Sequence, residues 1–542
     1  MPDPAAPAPA HPSAPAAPAP LTAQDRLHAA WRLLAVAVLG FASGLPLALT
    51  GQALQAWLSQ SGVDIATIGF LSLVGLPYTF KFLWAPLMDR FDPPWLGRRR
   101  GWLVLTQLLL AAGLWAMSVT PPQGALQTLA LLAVAVAFLS ASQDVAVGGY
   151  QTDLLAARER GMGASLNVMG YRLAMIVSGG IALIWTDALQ GGGWTWPEVY
   201  RLMAAILAGA AVFSAVALPR LKAPPPLAQP GGHDLKGFLA VLAAAAMGYL
   251  LTDRLLVPAA HALLAPLWQG SALPAGLQQR WGDLLALLAG IALTVPLGVA
   301  AARWARFETL RAGLASYFAQ SGAVAFLVFI VLYKLGDAFA GALMTPFLLK
   351  SMAFAAAEVG LVNKVLGLWL TILGALAGGA LMLKLGLWRA LMVFGVLQAA
   401  SNLGFWWLAT HGQGALGALP VPAFDWGFVK LAQDSRMDGG LILVVALENL
   451  TGGMGTAAFV AFLMSLTSQR FSATQFALLS ALASVGRVWV GPMAGVVAES
   501  IGWPDFFVLS TLLALPALGM LWWLRPQIQV LEADPTAAAM DD

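Results

Sequence analysis

Three acidic residues stand where water is not expected: Asp144, Asp337 and Glu448. Each lies within a run of roughly 20 mostly apolar residues, the length that crosses a bilayer. A carboxylate so placed suits proton coupling, because desolvation and a nearby charge that comes and goes can shift its proton affinity. A charge in hydrocarbon is costly, so it faces a bundle interior or a water-filled path. At about 100° per residue, Ser140, Gln143, Asp144 and Gln151 share one helix face. Asp144 reads either as a coupling residue or as a fixed partner of Arg172 or Lys81. Lys334 and Asp337, three apart, also share a face. Alternating access could break that pair, or it could be a static ion pair that orients its helix. Glu448 is read near the start of its helix, as an interfacial or a coupling residue.

The rest of the chain reads as the wall that positions these groups. Of 542 residues, 59% are hydrophobic and 10% charged; a soluble protein carries roughly 25% charged residues. The mean hydropathy is +0.77. The chain is therefore read as an all-α polytopic membrane protein, since a bilayer forces backbone groups to be satisfied within each helix. The net charge of +3 does not suggest nucleic acid. With no cysteine there is no disulfide, thiolate metal site or catalytic thiol, and the five histidines show no ligand spacing. No metal and no cofactor are expected. Residues 2–20 form a Pro/Ala tract that cannot pack a core and is expected to be disordered. The N-terminus lacks the basic-apolar-small order of a cleavable signal peptide.

Fourteen spans are expected, near 33–57, 65–88, 102–119, 126–150, 164–186, 198–218, 237–257, 282–301, 320–348, 357–383, 389–410, 439–466, 473–497 and 505–524. They give a 1–32 tail, a six-helix bundle over 33–218, and a linker over 219–319 with two extra helices. A second six-helix bundle over 320–525 and a 526–542 tail complete the chain. The extra pair has no polar stripe and is expected to be peripheral to the pathway. Arg90, Arg98–Arg100, Arg158, Arg160, Arg220 and Lys236 fall in alternate loops, whereas SQSGVDI, TPPQGA and TDALQGGGWTWPE carry no Lys or Arg. That asymmetry places both termini in the cytoplasm; Lys430 and Arg436 mildly break it.

The loops also repeat. APLMDRFDPPWLGRRRG follows the second span, and GGALMLKLGLWRA follows the second span of the last six. Gly170-Tyr-Arg172 and Gly486-Arg487 stand in corresponding helices. Such duplication points to a transporter whose substrate sits at mid-membrane between two halves. The first loop resembles the major facilitator superfamily signature through Asp89, Arg90, Gly97, Arg98, Arg99 and Arg100, which the resemblance makes a gating loop. Their other reading is as topology charges. In the second copy the acidic place holds Leu383.

A narrower resemblance follows from longer motifs. Gly40-Phe-Ala-Ser-Gly-Leu-Pro-Leu-Ala-Leu-Thr50, Lys81-Phe-Leu-Trp-Ala-Pro-Leu-Met-Asp-Arg90, Ser140-Ala-Ser-Gln-Asp144 and Tyr333-Lys-Leu-Gly-Asp-Ala-Phe339 are four of them. Glu448-Asn449 with Gly452-Gly-Met-Gly455, and Phe471-Ser-Ala-Thr-Gln-Phe-Ala-Leu-Leu-Ser480, are two more. Together they resemble the AmpG muropeptide permeases of Gram-negative inner membranes, over about residues 33–525. The resemblance implies import of anhydro-muropeptides, GlcNAc-1,6-anhydro-MurNAc with or without peptide, driven by the proton motive force for peptidoglycan recycling. It also implies an indirect part in β-lactamase induction where that circuit exists, and the chain is read as a monomer in the lipid bilayer. One departure stands out. Gly148 and Gln151 occupy places where the family often has an acidic residue and a lysine.

A muropeptide carries carboxylates, which suit an arginine or a mobile lysine in a dry cavity. The intramembrane cations are Lys81, Arg172, Lys364 and Arg487, each of which could instead snorkel to an interface. Sugar faces suit aromatic cover, for which Tyr78, Tyr150 and Tyr171 are candidates. Gln52, Gln55, Gln143, Gln398 and Asn402 could bond N-acetyl groups, or bond between helices. Gly40, Gly44, Gly374 and Gly378 read as close helix packing, and Trp57, Trp194 and Trp196 as interfacial anchors. A membrane enzyme would need metal-binding acids or a catalytic histidine. A sensor would need a signalling domain, and an ATP-driven pump a GxxxxGK[ST] loop. Here the outer loops are short or poor in ionisable residues, the tails over 1–32 and 525–542 read as too short and biased for a signalling domain, and no GxxxxGK[ST] loop occurs. The runner-up is a facilitator for another amphiphile, such as an acyl-CoA, a siderophore or a drug.

Overall fold

The computed structural model describes residues 23–63, 74–94, 96–186, 194–221, 231–268, 275–354, 356–425, 430–431 and 435–533. The Pro/Ala tract and the 65–73 part of the second expected span lie outside the described residues. Helix dominates. Nine helical stretches among the described residues are long and apolar enough to cross a membrane, and the other expected spans also fall on helix wherever they are described.

In the first half, α1 (Ala23–Thr50) is followed by the short α2 (Ala85–Arg90), α3 (Arg98–Ser118), α4 (Pro122–Leu154), α5 (Arg160–Met175) and α6 (Trp196–Val216). The linker carries α7 (Gly231–Leu251) and α8 (Ala275–Trp304), then a short helix not expected from hydropathy, α9 (Glu308–Phe318). The second half holds α10 (Leu335–Pro346), α11 (Leu368–His411), α12 (Gly439–Ser465), α13 (Ser472–Ile501) and α14 (Trp503–Leu512). A terminal helix, α15 (Arg525–Ala533), occupies the start of the expected tail.

The two similar loops each enter a helix through a glycine, as the chain also does at Gly502 before α14 (φ 82°, ψ 164°). Gly97 enters α3 at φ 75°, ψ 168°. Gly386, where α11 breaks into two helices, sits at φ 75°, ψ 173°. That conformation is essentially confined to glycine, so each copy turns its loop into a helix by the same means. The second copy lacks an acid of its own, with Leu383 exposed. Glu532 of α15 lies beside that loop: its Oε1 accepts from Trp388 N at 2.7 Å, at the start of the helix after Gly386. Arg525 stacks 4.7 Å from the Trp388 ring centroid.

Close backbone packing fixes the helices within each half. A Cβ on Gly44 would stand 2.5 Å from the Tyr171 carbonyl, and Gly170 meets Ala37 in the same α1–α5 contact. Gly374 and Gly378 lie against Leu450 and Met454 of α12. These glycines therefore work as packing surfaces, as their spacing suggests. Trp57 and Trp196 are a correction. Both are buried; Trp57 packs on Tyr200 and Trp196 donates to Gln60 at 2.7 Å. Trp194 is partly exposed and stacks on Trp185. Between α11 and α12, Ala418–Val421 pairs antiparallel with Ser435–Asp438, a ribbon that hydropathy does not reveal. Lys430 and Arg436, the two charges that break the loop pattern, lie on strands of this region.

Candidate functional site

Asp144 lies in the body of α4, reached from two other helices. Ser43 Oγ on α1 donates to its Oδ1. Lys81 Nζ, in the 3-10 turn just before α2, stands 3.6 Å from Oδ2. Of the two expected partners, the structure pairs Asp144 with Lys81. The Tyr78 hydroxyl, also buried, lies beside Asp144, Ser140 and Thr50. Along the same α4 face Ser140, Gln143 and Gln151 are buried. Gln143 has neither amide atom bonded within the protein, and Gln151 Oε1 and Ser140 Oγ are likewise unmatched. Unmatched polar atoms in such numbers mark a strip suited to ordered water.

A second group spans both halves. Asp337 of α10 and Lys334 just before it act electrostatically on Glu448 of α12, and so does Arg172 of α5. Lys334 Nζ reaches Thr456 Oγ1 at 3.4 Å and the Phe459 ring at 5.6 Å. Lys334 and Asp337 thus belong to a four-charge group, not to an isolated pair. Glu448 needs correction. It sits nine residues into α12, held by Asn449 Nδ2 at 2.7 Å, and Asn449 is bonded by Thr371 of α11.

Asn402 and Gln398 line a small cleft with Tyr333, Asp337, Ala514 and Leu518. Each has a buried amide nitrogen without a protein partner. Tyr150 is a correction: it is fully buried and its hydroxyl donates to the Pro219 carbonyl at 3.0 Å, so it anchors a loop. Tyr171 and Arg172 are half-buried on α5. The side chains of Gln52, Lys364 and Arg487 lie outside the described part of the structure.

The loop from Asp89 to Arg100, at the end with the arginine-rich loops, lies against the second half of the molecule. Helix α13 begins without a side-chain cap of its own, Phe471 being its N-cap residue. Asp89, from the other half, supplies the missing acceptor. Its Oδ2 accepts from Thr474 N at 2.7 Å and Thr474 Oγ1 at 2.6 Å, and its Oδ1 from Ala473 N at 3.3 Å. A carboxylate is favoured there by unpaired N–H groups and the helix dipole. Arg99 joins the same knot, 2.8 Å from Asp89, 2.7 Å from Asp153, and donating to Ser472. Arg98 bonds the Asp89 carbonyl at 2.8 Å, and Arg100 bonds the Ala215 carbonyl. Charges that only set topology would be solvated; Arg99 and Arg100 are buried. Arg90 turns away to Asp234 of α7 at 3.1 Å. Gly148, one of the two departures, lets α4 lie directly against Phe476 of α13.

Asp153, Ser472, Thr474 and Asp234 were not among the expected site residues. Asp153 stands at the end of a span, where a charge is commonplace and the sequence does not single it out.

The chain superimposes on the proton:xylose symporter XylE with a TM-score of 0.56, at 10% identity, covering 92% of this chain and 96% of that one. The human organic anion transporter MFSD10 gives 0.50 at 15% identity, over 92% and 100%. Both show the major facilitator fold. A family model described as Acetyl-coenzyme A transporter 1 matches residues 32–190. The anhydromuropeptide permease of Escherichia coli K12 is 42% identical over 496 residues, 91% of this chain and 79% of that protein. The chain belongs to the AmpG permease family. A protein of Haemophilus influenzae is 31% identical, over 91% and 95% of the two chains. The Rickettsia felis protein named putative transporter AmpG 4 is 27% identical, over 92% and 98%. An AmpG-family chain of this fold is a multi-pass membrane transporter and not an enzyme.

Proposed function

We propose that this AmpG-family transporter imports anhydro-muropeptides from periplasm to cytoplasm in symport with protons. It does so as a fourteen-span monomer of the inner membrane with both termini cytoplasmic. The substrate class is supported by the 42% identical anhydromuropeptide permease, and the orientation by the arginine-rich loops. In a host with an inducible β-lactamase, the same import would feed that circuit.

The observation that carries proton coupling is the contrast between two sets of ion pairs. Charge-assisted N–H···O contacts run at about 2.7–2.9 Å when tight. Arg99 meets that standard with Asp89 and Asp153, whereas Lys81 stands 3.6 Å from Asp144. The Asp144 carboxylate is held between a hydroxyl and a loose ammonium, next to unmatched polar groups. A proton taken up by Asp144 removes its attraction for Lys81, leaving the ammonium to a substrate carboxylate. The group formed by Arg172, Lys334, Asp337 and Glu448 crosses between the halves, so its energy changes as they move.

The test is uptake of labelled GlcNAc-1,6-anhydro-MurNAc into proteoliposomes, with and without an inward proton gradient. Stimulation by the gradient, lost with a protonophore, is the expected result. Folded, oriented protein without uptake in either condition would overturn the substrate assignment. The family match over residues 32–190 favours an acyl-CoA as the second substrate to offer in that assay.

A further inference from the structure

We propose that Asp234, at the start of the extra helix pair, is a positioning residue for the gate: it binds Arg90 and makes the linker a second tie across the closed end. The inference rests on the alternating-access reading but not on the identity of the substrate.

Asp89 and Arg90 are adjacent, and each engages a buried partner. Asp89 reaches α13 directly. Arg90 Nε reaches Asp234 at 3.1 Å, and Asp234 is buried. The same carboxylate accepts from Thr309 N at 3.1 Å and Thr309 Oγ1 at 2.8 Å. Thr309 is in the first turn of α9, whose own N-cap residue, Phe307, offers no side-chain acceptor. Asp234 thus caps α9 as Asp89 caps α13. Helix α9 is in turn fixed to the second half. Gln475 Nε2 on α13 donates to the Gly313 carbonyl at 2.9 Å. Phe471 packs on Gly313.

A continuous path therefore runs from Arg90 in the first half, through Asp234, Thr309 and Gly313, to Gln475 in the second. The path lies beside the direct Asp89–α13 contact and ends within three residues of it in sequence. Parting of the halves at this end must either break Arg90 from Asp234 or carry α7 and α9 along. Removing one member of a buried ion pair leaves the other charge unmatched and shifts the balance against the closed form. The linker is then part of the gate, and the lipid-facing bodies of α7 and α8 are its anchor.

The chain has no cysteine, so spin labels at Ala156→Cys and Gln469→Cys, both exposed, would report the separation of the halves across this end. Electron–electron distance distributions are expected to gain a longer component in Asp234→Asn and in Arg90→Gln. The double variant is expected to gain no more than either single one. Asp234→Glu is expected to restore the short distance, and Asp283→Asn, on the exposed far end of the pair, to leave it unchanged. Should Asp234→Asn misfold, Arg90→Gln carries the same test from the other side. Unchanged distances in a folded single variant, alongside a shift in Asp89→Asn, would overturn the proposal. No shift even in Asp89→Asn would instead overturn the reading of this end as the gate. Neither outcome depends on which solute is carried.

Discussion

At the level of single residues, the ion pairs differ in length: Arg99 lies 2.8 Å from Asp89 and 2.7 Å from Asp153, and Lys81 lies 3.6 Å from Asp144. Lys81 and Asp144 form the loose contact, and the proposed function makes Asp144 the proton carrier. Asp144→Asn is expected to cut gradient-stimulated uptake at least about tenfold, equivalent to roughly 1.4 kcal/mol. Exchange of labelled for unlabelled substrate across equal pH should persist. Full gradient-driven uptake by the variant would remove Asp144 from the mechanism. Residues of this kind were readable from sequence because a charge within an apolar run has no ordinary explanation. Asp153 and Asp234 were not, because a charge near the end of a span is commonplace and hydropathy gives it no partner. Tyr150 misled for a different reason. Its type suits a sugar, but a buried phenol is as well satisfied by one backbone carbonyl, and only the fold reveals that Pro219 supplies it.

Among the elements, two devices stand out: helices that touch through glycine and helices capped by another segment's acid. Gly44 allows α1 to meet the α5 backbone, and a side chain there would press on the Tyr171 carbonyl, which cannot rotate away. Gly44→Val is expected to lower the thermal transition in detergent sharply or prevent folding. Gly180→Ala, with open space around it, should leave the transition within about 0.5 kcal/mol of the parent. Equal behaviour of the two would refute the packing role. Asp89→Ala removes both a cap and one side of a buried ion pair, a loss of roughly 3–5 kcal/mol to the closed form. Faster protease cleavage or labelling at the arginine-rich end would report it; unchanged accessibility would contradict it. The helices themselves were legible from apolar length. The short α9 and α15 and the Ala418–Asp438 ribbon were not, since none is long and apolar enough to be seen by a hydropathy window.

For the whole molecule, the two similar loops each enter a helix through a glycine of one backbone conformation, yet they differ in the acid they engage. The first loop's acid, Asp89, reaches across to α13; the second loop receives its acid, Glu532, from a helix of its own half. Glu532→Ala is expected to lower the unfolding free energy by about 1 kcal/mol, the usual scale of a lost cap, with the distance between the halves unchanged. A shift in that distance would refute the distinction. A bond made in only one arrangement of the halves biases their equilibrium, whereas a bond made in every arrangement cannot. Substitutions in the first loop should therefore sort as changes in the rate or direction of cycling at constant abundance. Those in the second should sort as changes in abundance at constant specific rate. Two loops of similar sequence would then fall into different phenotypic classes in the same genetic screen.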